Sequence, residues 1–143
     1  MPTQSMITDN IAELLVKIIE FTHSRQKVIT QNIKKMHHPG FVPTDLAVDE
    51  FSDSLNNAIN EHARNRYLVL YDSENIKFGA KGSFEVKPTP DQQAHDLLKN
   101  NPDEYLEIQI GKLLENSINQ RVAAELLKQK HGMVSIFEHY PKG

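Results

Sequence analysis

The sequence predicts a mainly α-helical fold (α+β at most) in which long N- and C-terminal helices pack as a coiled-coil-like pair. Toward both ends of the chain, apolar residues recur every three or four positions, which is the spacing of a helix with one buried face. The middle of the chain lacks this periodicity and favours a short helix and a small β-hairpin. We therefore expect three segments, 1–45, 46–100 and 101–143, that fold as one domain.

Composition limits the classes of function. The chain has 143 residues, a net charge of −3 and no cysteine. Without a basic excess we expect no nucleic-acid partner, and without thiols there is neither disulfide nor thiolate chemistry. The sequence has no phosphate-binding loop and no nucleophile or metalloprotease motif, so we expect no enzyme, no small-molecule substrate and no cofactor.

The first helix is predicted from Asn10 to about Met36. Asn10 and Glu13 have the spacing of a capping box, in which each side chain bonds a backbone N–H of the first turn. The helix should stop before Pro39 and Gly40. Proline disfavours helical geometry in the residue that precedes it, and glycine permits a left-handed turn.

The middle segment is predicted to begin with a helix over 48–63, where apolar residues line one face. Strand-forming residues follow at 67–71, 76–78 and 83–86, separated by turn residues, and predict a small hairpin or meander.

Two helix starts follow the predicted hairpin. Thr89 and Pro90 have the order of a cap and a first-turn proline, and they predict a short helix or linker. Asn101 and Pro102 repeat this order, so the last helix is predicted from Pro102 to about Ile136.

The apolar stripes of the two terminal helices need partners. They could close on each other within a monomer, or neighbouring subunits could complete them, and burial in either case stabilises by about 25 cal/mol per Å² of apolar surface. The residues expected to carry helix packing and assembly are Leu14, Ile18, Ile29, Ile33, Leu106, Ile110, Leu113 and Leu127.

Two further groups of residues have competing interpretations. The histidines at 23, 37, 38 and 62 could ligate a metal, but adjacent histidines at a helix end rarely face one ion, and we expect no metal site. A basic and aromatic group in the middle segment could be either the core of the hairpin or a contact surface for a neighbouring protein. Its members are Arg64, Arg66, Tyr67, Tyr71 and Phe78.

A more specific pattern runs through the end of the first helix, the turn after it and the last helix. Its N-terminal residues are Arg25, Gln26, Asn32, Ile33, Pro39, Gly40, Phe41, Asp45 and Leu46. Its C-terminal residues are Leu106, Glu107, Leu114, Glu115, Asn116, Gln120, Leu126 and Leu127. The pattern resembles the terminal signatures of flagellar rod and hook proteins, and together with the chain length it is most similar to the FlgB family of proximal rod proteins.

The resemblance implies a structural subunit of the bacterial flagellar basal-body rod that serves flagellum-dependent motility. Such subunits are exported by the flagellar type III apparatus without a cleaved signal peptide and assemble in the periplasm. The expected partners are other copies of the chain and other rod or basal-body proteins. The alternative is a soluble helical adaptor or binding module that does not polymerise. In the rod interpretation, the signature turn is formed by Asn32, Pro39, Gly40, Phe41 and Asp45.

Overall fold

A computed structural model describes residues 2–79 and 84–139, and the side chains of residues 10–79 and 84–131. The described chain is mainly helical with two small β-ladders, as the sequence predicts. Its elements in order are α1 (Pro2–Lys34), β1 (Thr44–Asp45), α2 (Val48–Asn65), β2 (Ile76–Lys77), β3 (Glu85–Val86), β4 (Thr89–Pro90), α3 (Gln92–Asn100) and α4 (Pro102–His139).

The two long terminal helices pack against each other, which confirms the predicted pair. The contact between α1 and α4 is the most extensive between any two elements. Ile29 on α1 and Tyr105 on α4 are fully buried, and Leu15 and Ala123 are buried further along the two helices.

The main apolar core joins the middle segment to α1. Phe21 of α1 and Phe51 of α2 stack with their ring centroids 4.1 Å apart. Phe78, directly after β2, and Phe84, directly before β3, complete an aromatic group around Phe51. Burying large aromatic side chains contributes much of the stability of a small domain, so this core anchors the middle segment to the helical pair.

Two short antiparallel ladders pair strands that lie between the helices. The pairing of β2 with β3 sets Ile76 opposite Val86, where the sequence predicts a hairpin. The segment 67–71 is not a strand, although its residues are strand formers, and no strand of the described residues pairs with it. Part of the predicted strand 83–86 lies outside the described residues.

The second ladder corrects one predicted helix start. Thr89 and Pro90 form β4, which pairs with β1 so that Thr89 lies opposite Asp45. The N-cap of α3 is instead Asp91, whose side chain accepts a hydrogen bond from the Ala94 backbone N–H. Local order alone could not reveal this, because the strand partner lies far away in the sequence.

The start of α1 also differs from the prediction. The helix begins at Pro2, and Asn10 lies inside it rather than at its cap. A proline is well suited to a first helical position, and no glycine or further proline interrupts the chain before Pro39. The last helix begins after Asn101 as expected, and its first turn includes Asp103 and Glu104.

Candidate functional site

The chain reverses direction directly after α1. The Phe41 N–H donates to the His38 carbonyl at 3.2 Å, and Gly40 has a φ of +74°. A positive φ at the third residue, usually glycine, and a proline at the second are typical of a type II β-turn. Phe41 is half-buried where the chain leaves this turn.

Asn32 of α1 links the chain after the turn to α4 through side-chain hydrogen bonds. Its Nδ2 donates to the Thr44 carbonyl at 2.7 Å and to Gln109 Oε1 on α4 at 3.0 Å. Its Oδ1 accepts a hydrogen bond from the Thr44 N–H at 3.2 Å. The side chain is only 1% exposed, so these bonds form away from water.

A cluster of four charged side chains, the ion-pair cluster, joins four elements. Arg25 of α1 donates from Nε and Nη2 to the two oxygens of Asp45, each at 3.0 Å. Lys112 of α4 bridges Asp45 and Asp91, with N–O distances of 3.1 and 3.0 Å. The two-point contact of a guanidinium with a carboxylate fixes orientation as well as distance, so the cluster positions β1 and the start of α3 against the helical pair.

The ion-pair cluster shifts the pKa values of its members. Burial alone would raise the pKa of Asp45, but the hydrogen bond from Arg25 and the positive charges of Arg25 and Lys112 hold it below its usual 3.8. Burial would likewise lower the pKa of Lys112, but the hydrogen bonds and charges of Asp91 and Asp45 raise it above 10.5. Both groups are therefore charged at neutral pH.

Further hydrogen bonds close the seam between α1 and α4. The Tyr105 hydroxyl donates to the Asn32 carbonyl at 2.8 Å, and Asn116 Nδ2 donates to the Thr22 carbonyl at 2.7 Å. Burial, together with the negative charge of Asp91, raises the pKa of Tyr105 to about 12. The seam is thus built partly from polar side chains that meet specific partners.

The side-chain amide of Gln109 is bonded through its oxygen. The two bonds between Asn32 and Thr44 fix the orientation of Asn32, and its Nδ2 then requires Gln109 to present Oε1. Among the described residues, Gln109 Nε2 is buried without a partner. Gln109 also lines a cavity of about 50 Å³, beside Asp91 and Lys112. A cavity of this size with polar walls has room for a water molecule.

The outward side of α4 carries a row of apolar side chains, with the exposed Glu107 and Glu125 beside them. Its large side chains recur every four residues and are between 44% and 62% exposed in the single chain. We call this surface the outer face of α4; its residues are Ile110, Leu114, Ile118, Val122 and Leu126.

The residues predicted to pack the two long helices differ in how far they are buried. Ile29 is fully buried, but Ile110 is 44% exposed and does not belong to the α1–α4 seam. The reason is that Gln109 takes the inward position beside it, and consecutive helical residues point about 100° apart. The other predicted residues are half-buried: Leu14, Ile18, Ile33, Leu106, Leu113 and Leu127.

A groove of about 350 Å³ lies between α1, α2 and α4, next to the outer face. Leu15 and Ile18 of α1 line one wall, Leu55 of α2 lines another, and Val122 and Leu126 of α4 form the third. The lining is mainly apolar, with Arg25 and Asn116 among the few polar contributors. The groove and the outer face share Val122 and Leu126 and so form one continuous apolar surface.

The other candidate groups have separate positions. Phe78 is buried in the aromatic core, whereas Tyr67 and Tyr71 are exposed, so the basic and aromatic group is not one cluster. His37 and His38 are exposed near the end of α1. Among the described residues, no group of three or more His, Cys, Asp or Glu side chains could hold a metal ion. Within the same part of the chain, every helix is too short or too polar to span a bilayer.

Sequence reasoning missed several residues that organise these contacts. Gln109 and Lys112 lie at helical spacing among the apolar residues of α4, and that interruption of the stripe is the signal that could have pointed to them. Asp91 and Thr22 gave no comparable signal. Comparison with known proteins found no family model, no curated protein and no solved structure that matches the chain.

Proposed function

We propose that this chain is a structural subunit of the bacterial flagellar basal-body rod, in its proximal segment, and that it assembles through its terminal helices. Its partners in this proposal are other copies of itself and other rod or basal-body proteins. It would be exported by the type III route and act in the periplasm. The proposal combines the resemblance to the FlgB family with the surface properties of α4.

The observation that carries the proposal is the exposed outer face of α4. Soluble monomers rarely expose a contiguous row of large apolar side chains, and such rows mark interaction surfaces. The inner side of the same helix is closed by specific bonds such as Asn116 to Thr22 and Asn32 to Gln109. The fold of one chain therefore leaves the apolar side of α4 available to another.

The free energy available from burying the outer face of α4 suggests that assembly requires several contacts per subunit rather than one. Complete burial of an exposed Val, Leu or Ile contributes about 1.5–3 kcal/mol, so the remaining burial of five half-exposed side chains contributes about 5 kcal/mol. Association costs about 4–15 kcal/mol in lost freedom of motion. One such contact gives weak pairing, and stable assembly requires each subunit to use several surfaces at once.

The residues that carry the resemblance also support the proposal. Arg25, Asn32, Asp45 and Asn116 belong to the signature pattern, and all four make the bonds that hold the turn and the helical pair together. The resemblance thus rests on residues with a defined structural task.

The direct test is made in a motile bacterium that carries this chain. We expect deletion of the gene to abolish swimming in soft agar, and we expect mass spectrometry of purified basal bodies to detect the chain. The Leu114→Lys variant should fail to restore motility, whereas Ser117→Lys, on an exposed position of the same helix, should restore it. A deletion strain that still swims, or wild-type basal bodies that lack the chain, would refute the proposal.

A second candidate is a non-polymerising helical adaptor, which the groove between α1, α2 and α4 favours. A groove of about 350 Å³ with mainly apolar walls could accept a helix or side chains of another protein. The two functions differ in solution. An adaptor stays monomeric at all concentrations, whereas a rod subunit associates as concentration rises, which light scattering after size-exclusion chromatography distinguishes.

A further inference from the structure

We infer that the cavity beside Gln109 binds an ordered water molecule, which bridges the side-chain amide of this residue to the carboxylate of Asp91. The site lies between the start of α3 and the first turns of α4. It belongs to a single chain, so it does not depend on the proposed assembly with other subunits.

The orientation of the Gln109 amide is determined by its neighbours. Asn32 bonds both the N–H and the carbonyl of Thr44, so its Oδ1 must accept and its Nδ2 must donate. The same Nδ2 lies 3.0 Å from Gln109 Oε1. Two amide nitrogens cannot bond each other, because each of them only donates. Gln109 therefore directs its oxygen at Asn32 and its Nε2 away from that residue.

The Nε2 donor of Gln109 needs an acceptor. The residue is 0% exposed, and within the described part of the chain its Nε2 is buried with no hydrogen-bond partner. Leaving a buried donor unsatisfied is costly, and native proteins pair nearly all such groups with protein atoms or ordered water. Gln109 lines a cavity of about 50 Å³. A water molecule needs about 10–15 Å³ of such space, so the cavity has room for at least one.

The walls of the cavity favour a small neutral molecule that both donates and accepts. The carboxylate of Asp91 accepts from the Ala94 N–H at one oxygen and from Lys112 Nζ at the other, and each oxygen can accept a further bond. The negative charge of Asp91 opposes an anion, whereas the Gln109 donor and the Lys112 ammonium oppose a cation. Organic ligands usually occupy sites of about 300–1,000 Å³, which is far larger. Water meets all these conditions.

A water molecule between Gln109 and Asp91 closes a ring of polar contacts. On one side of the ring, Asn32 links β1 to Gln109. On the other side, Lys112 links β1 to Asp91. The water joins the two free ends of this arrangement, and hydrogen bonds in such a network strengthen one another away from bulk solvent. The start of α3 is thereby held to α4 by a second link besides Lys112.

Oxygen-17 relaxation dispersion of the solvent tests the inference in the full chain. The method detects water molecules that stay bound long enough to tumble with the protein, and proton exchange from Lys112 or Tyr105 does not contribute to it. We expect Gln109→Met, which has no side-chain donor, to lose a long-lived water that the wild type holds. The control Gln120→Met, half-buried on the same helix, should match the wild type. Equal numbers of long-lived waters in the wild type and Gln109→Met would overturn the inference.

A crystal structure of the wild-type chain decides the question without a substitution, should Gln109→Met lose its helical circular dichroism. We expect a water oxygen about 2.5–3.2 Å from Gln109 Nε2 and from one oxygen of Asp91. A structure with no water at this position, or with a water that reaches Gln109 but not Asp91, would overturn the bridge. Neither measurement involves association of the chain, so failure of the water site leaves the proposed rod function standing. Conversely, a chain without a role in motility could still hold this water.

Discussion

Replacing Asn32 with alanine should destabilise the chain more than any exposed substitution, because one side chain holds the turn, α1 and α4 together. The substitution removes three hydrogen bonds: two with the backbone of Thr44 and one with Gln109. Each contributes about 0.5–1.5 kcal/mol net, so their loss costs about 3 kcal/mol. The partners left buried without bonds bring the total to about 4 kcal/mol, a large share of the 5–15 kcal/mol typical of a domain.

Urea denaturation followed by circular dichroism measures this loss. We expect the free energy of unfolding of Asn32→Ala to fall by about 3–4 kcal/mol. The matched control is Asn57→Ala, an exposed asparagine within α2, which should change the free energy by less than about 0.5 kcal/mol. Equal effects of the two substitutions would refute the role assigned to Asn32.

Three further predictions concern pH and backbone geometry. Because the folded-state pKa of Asp45 is lowered, the stabilisation of the fold by this carboxylate is complete above pH 3.8 and is lost as pH falls through the folded pKa. Asp45→Asn should therefore reduce the free energy of unfolding at pH 7 and flatten the acid limb of a stability–pH curve. Because the pKa of Tyr105 is raised from 10.0 to about 12, the chain should lose stability as pH rises above 10, and Tyr105→Phe should lose less over that range. Gly40→Ala should cost about 1–2 kcal/mol because φ is +74° there, whereas Gly111→Ala, in an exposed helical position with open space around it, should stabilise by about 0.5–1 kcal/mol in thermal unfolding.

The helices were predictable because their signals are local. The periodic residues of α1 and α4 required no knowledge of the rest of the chain, and Gly40 at a left-handed position followed from its place after Pro39. The predicted start of α1 was wrong because an Asn and a Glu three residues apart, here Asn10 and Glu13, have the spacing of a capping box even inside a helix. The residues before them are also helical.

The contacts between distant segments could not be predicted. Thr89 and Pro90 have the local order of a helix start, but the chain uses them to pair with β1, more than forty residues earlier. Ile110 was assigned inward because an apolar side chain was expected to face α1, yet the hydrogen bond between Asn32 and Gln109 places the amide there instead. A periodic pattern indicates that a helix has two different sides, but it does not reveal which side meets which partner.

We propose that the outer face of α4 joins one copy of this chain to another. Sedimentation velocity over a hundredfold range of concentration tests it most directly, with wild type beside Ile118→Lys and the control Ser117→Lys. We expect wild type and Ser117→Lys to associate as concentration rises, and Ile118→Lys to stay monomeric with unchanged helix content. A wild-type chain that remains monomeric throughout, or an Ile118→Lys variant that associates equally well, would contradict assembly through the outer face of α4.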